Sequence, residues 1–222
     1  MPIINMVYKK KKWWTPWANT IAYYKFDWNL NDSSGNGNNW TLNWTITYDT
    51  VGTMQVANFW GSWYVTIPGL WALTWSLTVN LWMESSQASA NEIALVALCP
   101  DTDNKNLSFA VNYGEATMFR WNGSTSQSCQ SNTTVNDWVW HNIVTTINGN
   151  TQTVYVDWIS KWTLSCNYDI VSGIYSWFWV NIKWSTGTKY NWLLSNIIVE
   201  NTPRTSEQVA WYYNQTKSNY GL

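Results

Sequence analysis

The stretch IVTTINGNTQTVYVDWISKWT, residues 143–163, decides the fold of this chain. Runs of β-branched and aromatic residues lie on both sides of Asn-Gly-Asn at 148–150, and another run follows Asp-Trp at 157–158. Such runs are typical of strands, and an Asx-Gly pair between two of them is the strongest short-range hairpin signal. The stretch therefore predicts antiparallel strands joined by tight turns.

The same pattern extends in both directions along the chain. Short β-type runs separated by turn residues every 8–12 positions or so predict a two-sheet antiparallel sandwich or a barrel, within one domain. Residues that alternate with polar neighbours inside these runs are the predicted core, namely Val79, Leu81, Val144, Tyr155 and Ile197. The predicted strands are 21–26, 41–48, 54–59, 63–67, 76–83, 93–98, 106–112, 116–121, 139–147, 152–157, 162–165, 177–183 and 192–200.

The C-terminal segment breaks the strand pattern. Thr205 is followed three residues later by Gln208, which is the signature of a capping box. Val209, Tyr212 and Tyr213 then fall on one face of a helix. We expect one short C-terminal helix packed against the sandwich.

Tryptophan is the unusual residue of this chain, with 21 copies among 222 residues. Several follow an Asx residue at a turn, at 27–28, 43–44, 137–138 and 157–158. Tight hairpin turns need positive φ, which glycine adopts freely and a bulky residue does not.

Because some bacteria read the codon UGA as glycine and other codes read it as tryptophan, we hypothesise that most of these tryptophans are glycine in the living cell. Trp82 and Trp140 lie inside apolar runs and look authentic, and Trp211 stays undecided. The alternative is a genuinely tryptophan-rich protein with stacking platforms for sugars.

Composition narrows the function class. Charged residues make up 11% of the chain and the net charge is −1, so there is no electrostatic footprint for nucleic acid. No apolar run has the length of a membrane span.

Residues 1–20 are predicted to form a basic, flexible tail or linker before a domain at 21–222. The basic run 9–12 is a solvated tail or, alternatively, the flank of an export segment that precedes this start.

Three cysteines, Cys99, Cys129 and Cys166, allow at most one internal disulfide. The absence of a Cys-x-x-Cys spacing argues against a zinc site. Cys129 with Cys166 is one possible pair, but the connectivity cannot be deduced from the sequence.

Five ordered segments resemble laminin-G-like domains of the concanavalin A-like lectin and glucanase superfamily. The resemblance implies a two-sheet jelly-roll sandwich, and it implies glycine at positions 28, 40, 138, 158 and 192. The segments are 22–40 (AYYKFDWNLNDSSGNGNNW), 77–83 (LTVNLWM), 137–144 (DWVWHNIV), 154–158 (VYVDW) and 192–201 with the helix that follows.

The resemblance also implies a structural calcium ion between the opening loop and the closing strand. Carboxylate, amide and backbone oxygens are the ligands that Ca²⁺ takes. The family usually carries an Asp-Asp pair where this chain has Ser195 and Asn196, which weakens the expectation. A plain Asx-rich turn without metal is the alternative. The candidate ligands are Asp27, Asn29, Asp32, Asn38 and Asn196.

Catalysis is not expected. Glucanases of the superfamily carry closely spaced acidic residues on one strand, whereas the glutamates here are isolated. Asp101 and Asp103 lie in a predicted loop, and the single histidine, His141, is expected to have a packing role. No catalytic residue is assigned.

The expected function is a non-catalytic, extracellular or surface-displayed module that binds a glycan or a surface protein. A structural or adhesive domain of a surface appendage is the first alternative, and a glycoside hydrolase of the same fold is the second. Sandwich lectins hold sugars with aromatic platforms and polar hydrogen-bonding groups. The candidate aromatic residues are Tyr113, Phe119, Tyr168, Tyr175 and Tyr190.

Overall fold

The computed structural model describes residues 16–42, 46–59, 65–67, 76–85, 93–99, 105–122, 126–165, 177–179 and 192–222. These residues form two antiparallel sheets and one short C-terminal helix, which confirms the predicted all-β sandwich. The strands are β1 Thr20–Tyr24, β2 Thr41–Leu42, β3 Thr47–Val51, β4 Met54–Asn58, β5 Val65–Ile67, β6 Ser76–Ser85, β7 Ile93–Cys99, β8 Lys105–Asn112, β9 Glu115–Asn122, β10 Ser126–Thr134, β11 His141–Asn148, β12 Thr151–Val156, β13 Ile159–Ser165, β14 Trp177–Trp179 and β15 Trp192–Glu200.

The first sheet has the order β13-β12-β11-β6-β15-β4-β3, and β1 pairs with the C-terminal half of β15. The second sheet has the order β10-β9-β8-β7-β14-β5-β2. Neighbouring strands that are distant in sequence, such as β6 and β15, hold the first sheet together. The closing segment 192–200 therefore lies in the middle of that sheet.

The hydrophobic core lies between the sheets. Alternate residues of β6 (Leu77, Val79 and Leu81) meet alternate residues of β8 and β9 (Phe109 and Met118). Burying such side chains is the main favourable contribution to folding. Val79, Leu81 and Ile197 are buried there as predicted.

Val144 and Tyr155 are also buried as predicted, but on the opposite face of the first sheet. They cluster with Val209 of the C-terminal helix α1, Ser206–Thr216. Thr205 caps this helix, and Gln208 completes the predicted capping box. The helix thus covers the outer face of the sheet, so both faces of its central strands are buried.

A short 3₁₀ helix, Lys217–Tyr220, extends the covered region. Trp82 stacks on Tyr220 at a ring-centroid distance of 4.1 Å, and Trp140 lies 4.8 Å from the same ring. Trp82 and Trp140 therefore belong to a packed aromatic layer beneath the C-terminal segment.

Strand β10 was not predicted from the sequence. Its sequence, SQSCQSNTT, contains no apolar alternation, because it is an edge strand. Cys129 is its one member of the central hydrophobic cluster, and the Cys129 thiol lies 3.5 Å from the backbone oxygen of Trp162. Cys166 lies outside the described residues, so the proposed pairing with Cys129 stays a prediction.

The end of the predicted tail contacts the domain. Thr20 begins β1, and the Trp17 ring lies 4.6 Å from the Arg204 guanidinium. In the part of the chain that the structure describes, no helix is long and apolar enough to cross a membrane.

Candidate functional site

The face of the second sheet that points away from the core carries Phe119. Phe119 alternates along β9 with Met118, which lies in the core, so its ring faces outward. Its partners across the two neighbouring strands are Ser108 of β8 and Ser128 of β10. Phe119 is half-buried and Ser128 is exposed. We call Ser108, Phe119 and Ser128 the Phe119 row.

The next row on the same face continues this chemistry. Thr117 is paired with Ala110 on one side and with Gln130 on the other. Thr117 and Ala110 are buried, while Gln130 is half-buried. At the surface of these two rows lie the half-buried ring of Phe119, the exposed hydroxyl of Ser128 and the half-buried amide of Gln130, whereas Ser108 and Thr117 are buried. Strand pairing brings these residues together, and no spacing in the sequence could have indicated it.

Tyr113 lies at a different place. It occupies the turn between β8 and β9, with its side chain 68% exposed. Four strand residues, 115–118, separate this turn from Phe119, which is a distance of roughly 15 Å. The two rings therefore cannot line a single small subsite. Tyr168, Tyr175 and Tyr190 lie outside the described residues, so their assignment stays a prediction.

Asp32 is the centre of the opening loop. Its carboxylate accepts hydrogen bonds from the backbone N–H groups of Tyr23 (2.9 Å), Ser34 (2.8 Å) and Asn38 (3.0 Å), and from the Ser34 hydroxyl (2.7 Å). These hydrogen bonds occupy the Asp32 carboxylate oxygens that would otherwise coordinate a cation. Asp32 thus organises the loop by the same hydrogen bonding that defines an Asx turn.

Asn196 lies away from this loop. It is buried in β15, where it accepts a hydrogen bond from the Tyr23 hydroxyl at 2.7 Å and donates one to the Tyr220 hydroxyl at 2.6 Å. Since the backbone N–H of Tyr23 binds Asp32, Asn196 and Asp32 sit at opposite ends of one tyrosine. Asp32 and Asn196 therefore do not share one oxygen-lined cradle in this arrangement. No group of three His, Cys, Asp or Glu residues with metal-binding geometry occurs in the described ranges.

The three other predicted ligands, Asp27, Asn29 and Asn38, lie in the loop itself. The Asn38 amide donates to the backbone oxygen of Ile21 at 2.7 Å. The Asn29 amide donates to the backbone oxygen of Asp27 at 2.8 Å, and its oxygen accepts from the backbone N–H of Asn31. These contacts fit the alternative of an Asx-rich turn. Calcium binding stays a prediction that needs a direct measurement.

His141 joins two turns. Its Nδ1 lies 2.7 Å from an Asp157 oxygen and its Nε2 lies 3.0 Å from an Asp137 oxygen. Burial lowers the pKa of His141, but hydrogen bonds and charge from Asp157 and then Asp137 outweigh it, so the net pKa is raised. The other Asp157 oxygen accepts from the backbone N–H of Asn142 at 2.9 Å. The three side chains form a clamp that we call the His141 clamp.

The clamp is consistent with the expected packing role of His141. A catalytic triad needs a nucleophile beside the imidazole, and here both ring nitrogens face carboxylates. The sequence analysis did not identify this clamp. The spacing of Asp137 and His141 gave a partial signal, but Asp157 is brought in by the pairing of β11 with β12.

Glu200 is likewise structural. It is buried and accepts hydrogen bonds from the Arg204 guanidinium at 2.7 and 2.9 Å. Arg204 also reaches the Asn80 side chain at 3.2 Å. The pair fixes the loop before α1 on the outer face of the first sheet.

Comparison with protein families finds one matching model over residues 59–210, a laminin-G-type model described as the concanavalin A-like lectin/glucanases superfamily. Comparison with curated protein sequences finds no relative.

Solved structures share the fold. Domain 4 of AbnA, a GH43 extracellular arabinanase from Geobacillus stearothermophilus solved with arabinotriose, aligns with a TM-score of 0.75 and 18% identity, covering 86% of this chain and 97% of that one. The binding domain of Paraclostridial Mosquitocidal Protein 1 gives 0.76 and 13%, covering 88% and 52%. The binding domain of botulinum neurotoxin DC in complex with SialylT gives 0.73 and 9%, covering 89% and 51%. The chain thus spans about half of the toxin binding domains. At these identities the likeness shows the fold.

Proposed function

The chain belongs to the concanavalin A-like lectin/glucanase superfamily, and on that premise we propose that it is a non-catalytic module that binds carbohydrate. Fold alone does not assign a function, so the proposal needs a site on this chain. The Phe119 row supplies it: an outward-facing ring lies beside the exposed Ser128 on a rigid sheet, while Ser108 on its other side is buried. An aromatic face with adjacent hydroxyl groups is the surface chemistry that suits a sugar ring.

The neighbours in fold support this choice. The arabinanase domain that matches over nearly its whole length was solved with arabinotriose, and one toxin domain was solved with SialylT. Two of the solved neighbours named above are binding domains, and the third is domain 4 of an extracellular arabinanase. A surface-displayed or extracellular setting follows from the same analogy.

Two other functions compete with glycan binding. An adhesive or structural domain would use the same sandwich without a small-ligand site, or would take a surface protein as its partner. A glycoside hydrolase would need two carboxyl groups at a defined separation across a cleft. In the described ranges Glu200 is paired with Arg204 and the two aspartates of the His141 clamp are paired with His141, which disfavours that third function.

A glycan array, followed by calorimetric titration with arabinotriose and with a sialylated oligosaccharide, tests the proposal. Binding should occur with the folded chain and should weaken about fivefold or more in Phe119→Ala, as expected for loss of an aromatic contact of about 1 kcal/mol or more. The matched control is Tyr113→Ala, because Tyr113 is exposed and distant from the Phe119 row. That variant should bind like the unchanged protein.

Other outcomes separate the alternatives. A folded chain that binds no glycan on the array would contradict the proposal and favour the adhesive domain. Release of reducing sugar from a bound oligosaccharide would favour the hydrolase. Running the array with calcium and with a chelator tests at the same time whether an ion contributes.

A further inference from the structure

Tryptophan occupies two opposite environments in this molecule. At 28, 138 and 158 it follows an aspartate, is 61%, 68% and 46% exposed, and has φ values of 59°, 66° and 69°. Trp82 and Trp140 are buried in the aromatic layer under the C-terminal segment, at 0% and 5% exposure, and neither has positive φ. The backbone thus separates turn tryptophans from core tryptophans.

The left-handed region is costly for bulky L-residues, because Cβ crowds the backbone there, whereas glycine enters it freely. A side chain repays such strain only through contacts that hold it in place. The three turn tryptophans leave about half or more of their surface in water. Trp28 has a ring contact with the half-buried Tyr48 at a centroid distance of 5.9 Å, but most of its own surface stays in water, so the three side chains gain little from the conformation that they occupy.

Most of the two-residue hairpin turns of the described chain contain a glycine with positive φ. Three of them, between β3 and β4, β8 and β9, and β11 and β12, carry Gly52, Gly114 and Gly149 with φ of 57°, 83° and 56°. The fourth, between β12 and β13, holds Asp157 (φ 51°) and Trp158 (φ 69°). Positive φ at both central residues is the type I′ requirement that Asp-Gly satisfies.

We propose that positions 28, 138 and 158 are glycine in the protein made by its own cells, encoded by UGA, and that positions 82 and 140 are tryptophan encoded by UGG. The sequence suggested recoding for most tryptophans, and the backbone selects the positions that require it. The native surface then lacks three large exposed rings, two of which flank the His141 clamp.

Positive φ alone does not assign a position as a recoded glycine. Phe26 also has φ of 63°, but it is buried at 1% exposure and contacts the rings of Trp40 and Phe59. Trp40 and Trp192, where the family resemblance implies glycine, are buried in the central core without positive φ. Trp162 is exposed but lies within a strand. The proposal therefore covers the three tryptophan positions, among the residues that the structure describes, that combine exposure with left-handed backbone.

One tryptic peptide of the protein isolated from its own cells tests the proposal at positions 138 and 158. Cleavage after Arg120 and after Lys161 releases residues 121–161, with no other lysine or arginine between. This peptide contains Trp138 and Trp158 together with Trp140, which serves as an internal control. Fragment-ion sequencing should give glycine at 138 and 158 and tryptophan at 140. The gene should show UGA at 28, 138 and 158, and UGG at 82 and 140.

Tryptophan at 138 and 158 in the native peptide would overturn the proposal, and so would UGG codons at those positions or glycine at 140. Stability gives a second readout on the recombinant chain. Trp158→Gly should raise the urea midpoint, while Trp82→Gly should lower it. A lower midpoint for Trp158→Gly would show that the tryptophan belongs to the turn, against the proposal.

Discussion

Two hairpins of the same backbone geometry hold glycine in one case and tryptophan in the other at their second turn residue. The β8–β9 turn places Tyr113 and Gly114 at φ of 50° and 83°, and the β12–β13 turn places Asp157 and Trp158 at 51° and 69°. The backbone of the second hairpin is kept although its second residue is bulky. Strand pairing on both sides fixes the turn, since β12 pairs with β11 and with β13 along its length.

The comparison teaches that turn geometry here is imposed by the sheet rather than chosen by the turn residue. The His141 clamp adds to this, because Asp157 is held by His141 and by the backbone N–H of Asn142. Substitutions at the two hairpins should therefore change stability more than they change structure.

Gly114→Trp should have the largest effect, a loss of about 3 kcal/mol, the upper end of the cost of a strained backbone residue. A Cβ at Gly114 would lie 2.5 Å from the Asn136 side-chain oxygen, so crowding adds to the left-handed strain. Urea denaturation measures the change. Gly149→Trp is the matched control, because its Cβ meets nothing within 4 Å and its loss should be smaller. Equal losses would show that the Asn136 contact is unimportant.

Trp158→Gly should stabilise the chain by about 1 kcal/mol, because strain is relieved while part of the gain is lost to the greater freedom of the unfolded chain. The control is Trp162→Gly, on the strand that follows, where glycine should cost about 0.5–1 kcal/mol. Thermal or urea unfolding of both variants gives the signs. If both substitutions changed the free energy of unfolding in the same direction, the strain assigned to Trp158 would be contradicted.

The His141 clamp predicts a pH dependence. The folded pKa of His141 is raised, so the stabilisation is complete below the unfolded pKa of about 6.5 and is lost as pH rises through the folded pKa. Since His141 is the single histidine, its proton resonances give an unambiguous NMR titration. The titration midpoint should lie above the ordinary value and fall in Asp157→Asn. A midpoint at or below the ordinary value would contradict the clamp.

Calcium should give the smallest effect. An ion bound only to the folded state stabilises it by about 0.4 kcal/mol when its concentration equals Kd. The hydrogen bonds to Asp32 leave little room for a larger gain. Melting with millimolar calcium and with a chelator measures this, and Asp32→Asn is the variant that should abolish any difference. Identical curves would favour the metal-free Asx turn.

Much of the fold could be predicted from the sequence. Strands such as β6, β11 and β15 have strong apolar patterns, and the capped helix has a local signature at Thr205 and Gln208. The polar edge strand β10 could not be predicted, because its pairing with β9 supplies what its composition does not. Val144 and Tyr155 were predicted to be buried, but their packing against Val209 depends on where the helix docks.

The candidate sites were likewise predictable from the sequence only in part. The residue types at Phe119 and in the opening loop are visible in the sequence, but the serines beside Phe119 come from two other strands. The separation of Asn196 from Asp32 follows from the burial of Tyr23 between them.

By itself the sequence determined the class of fold, the tight turns on either side of β12 and the hypothesis that many tryptophans are recoded glycines, because alternation, capping and turn chemistry act between residues close in the chain. The tertiary structure alone decided which tryptophans are strained, which carboxylates are already paired and which residues share the Phe119 row. Those depend on strand register and on the docking of the helix, since both bring together groups that are far apart in sequence.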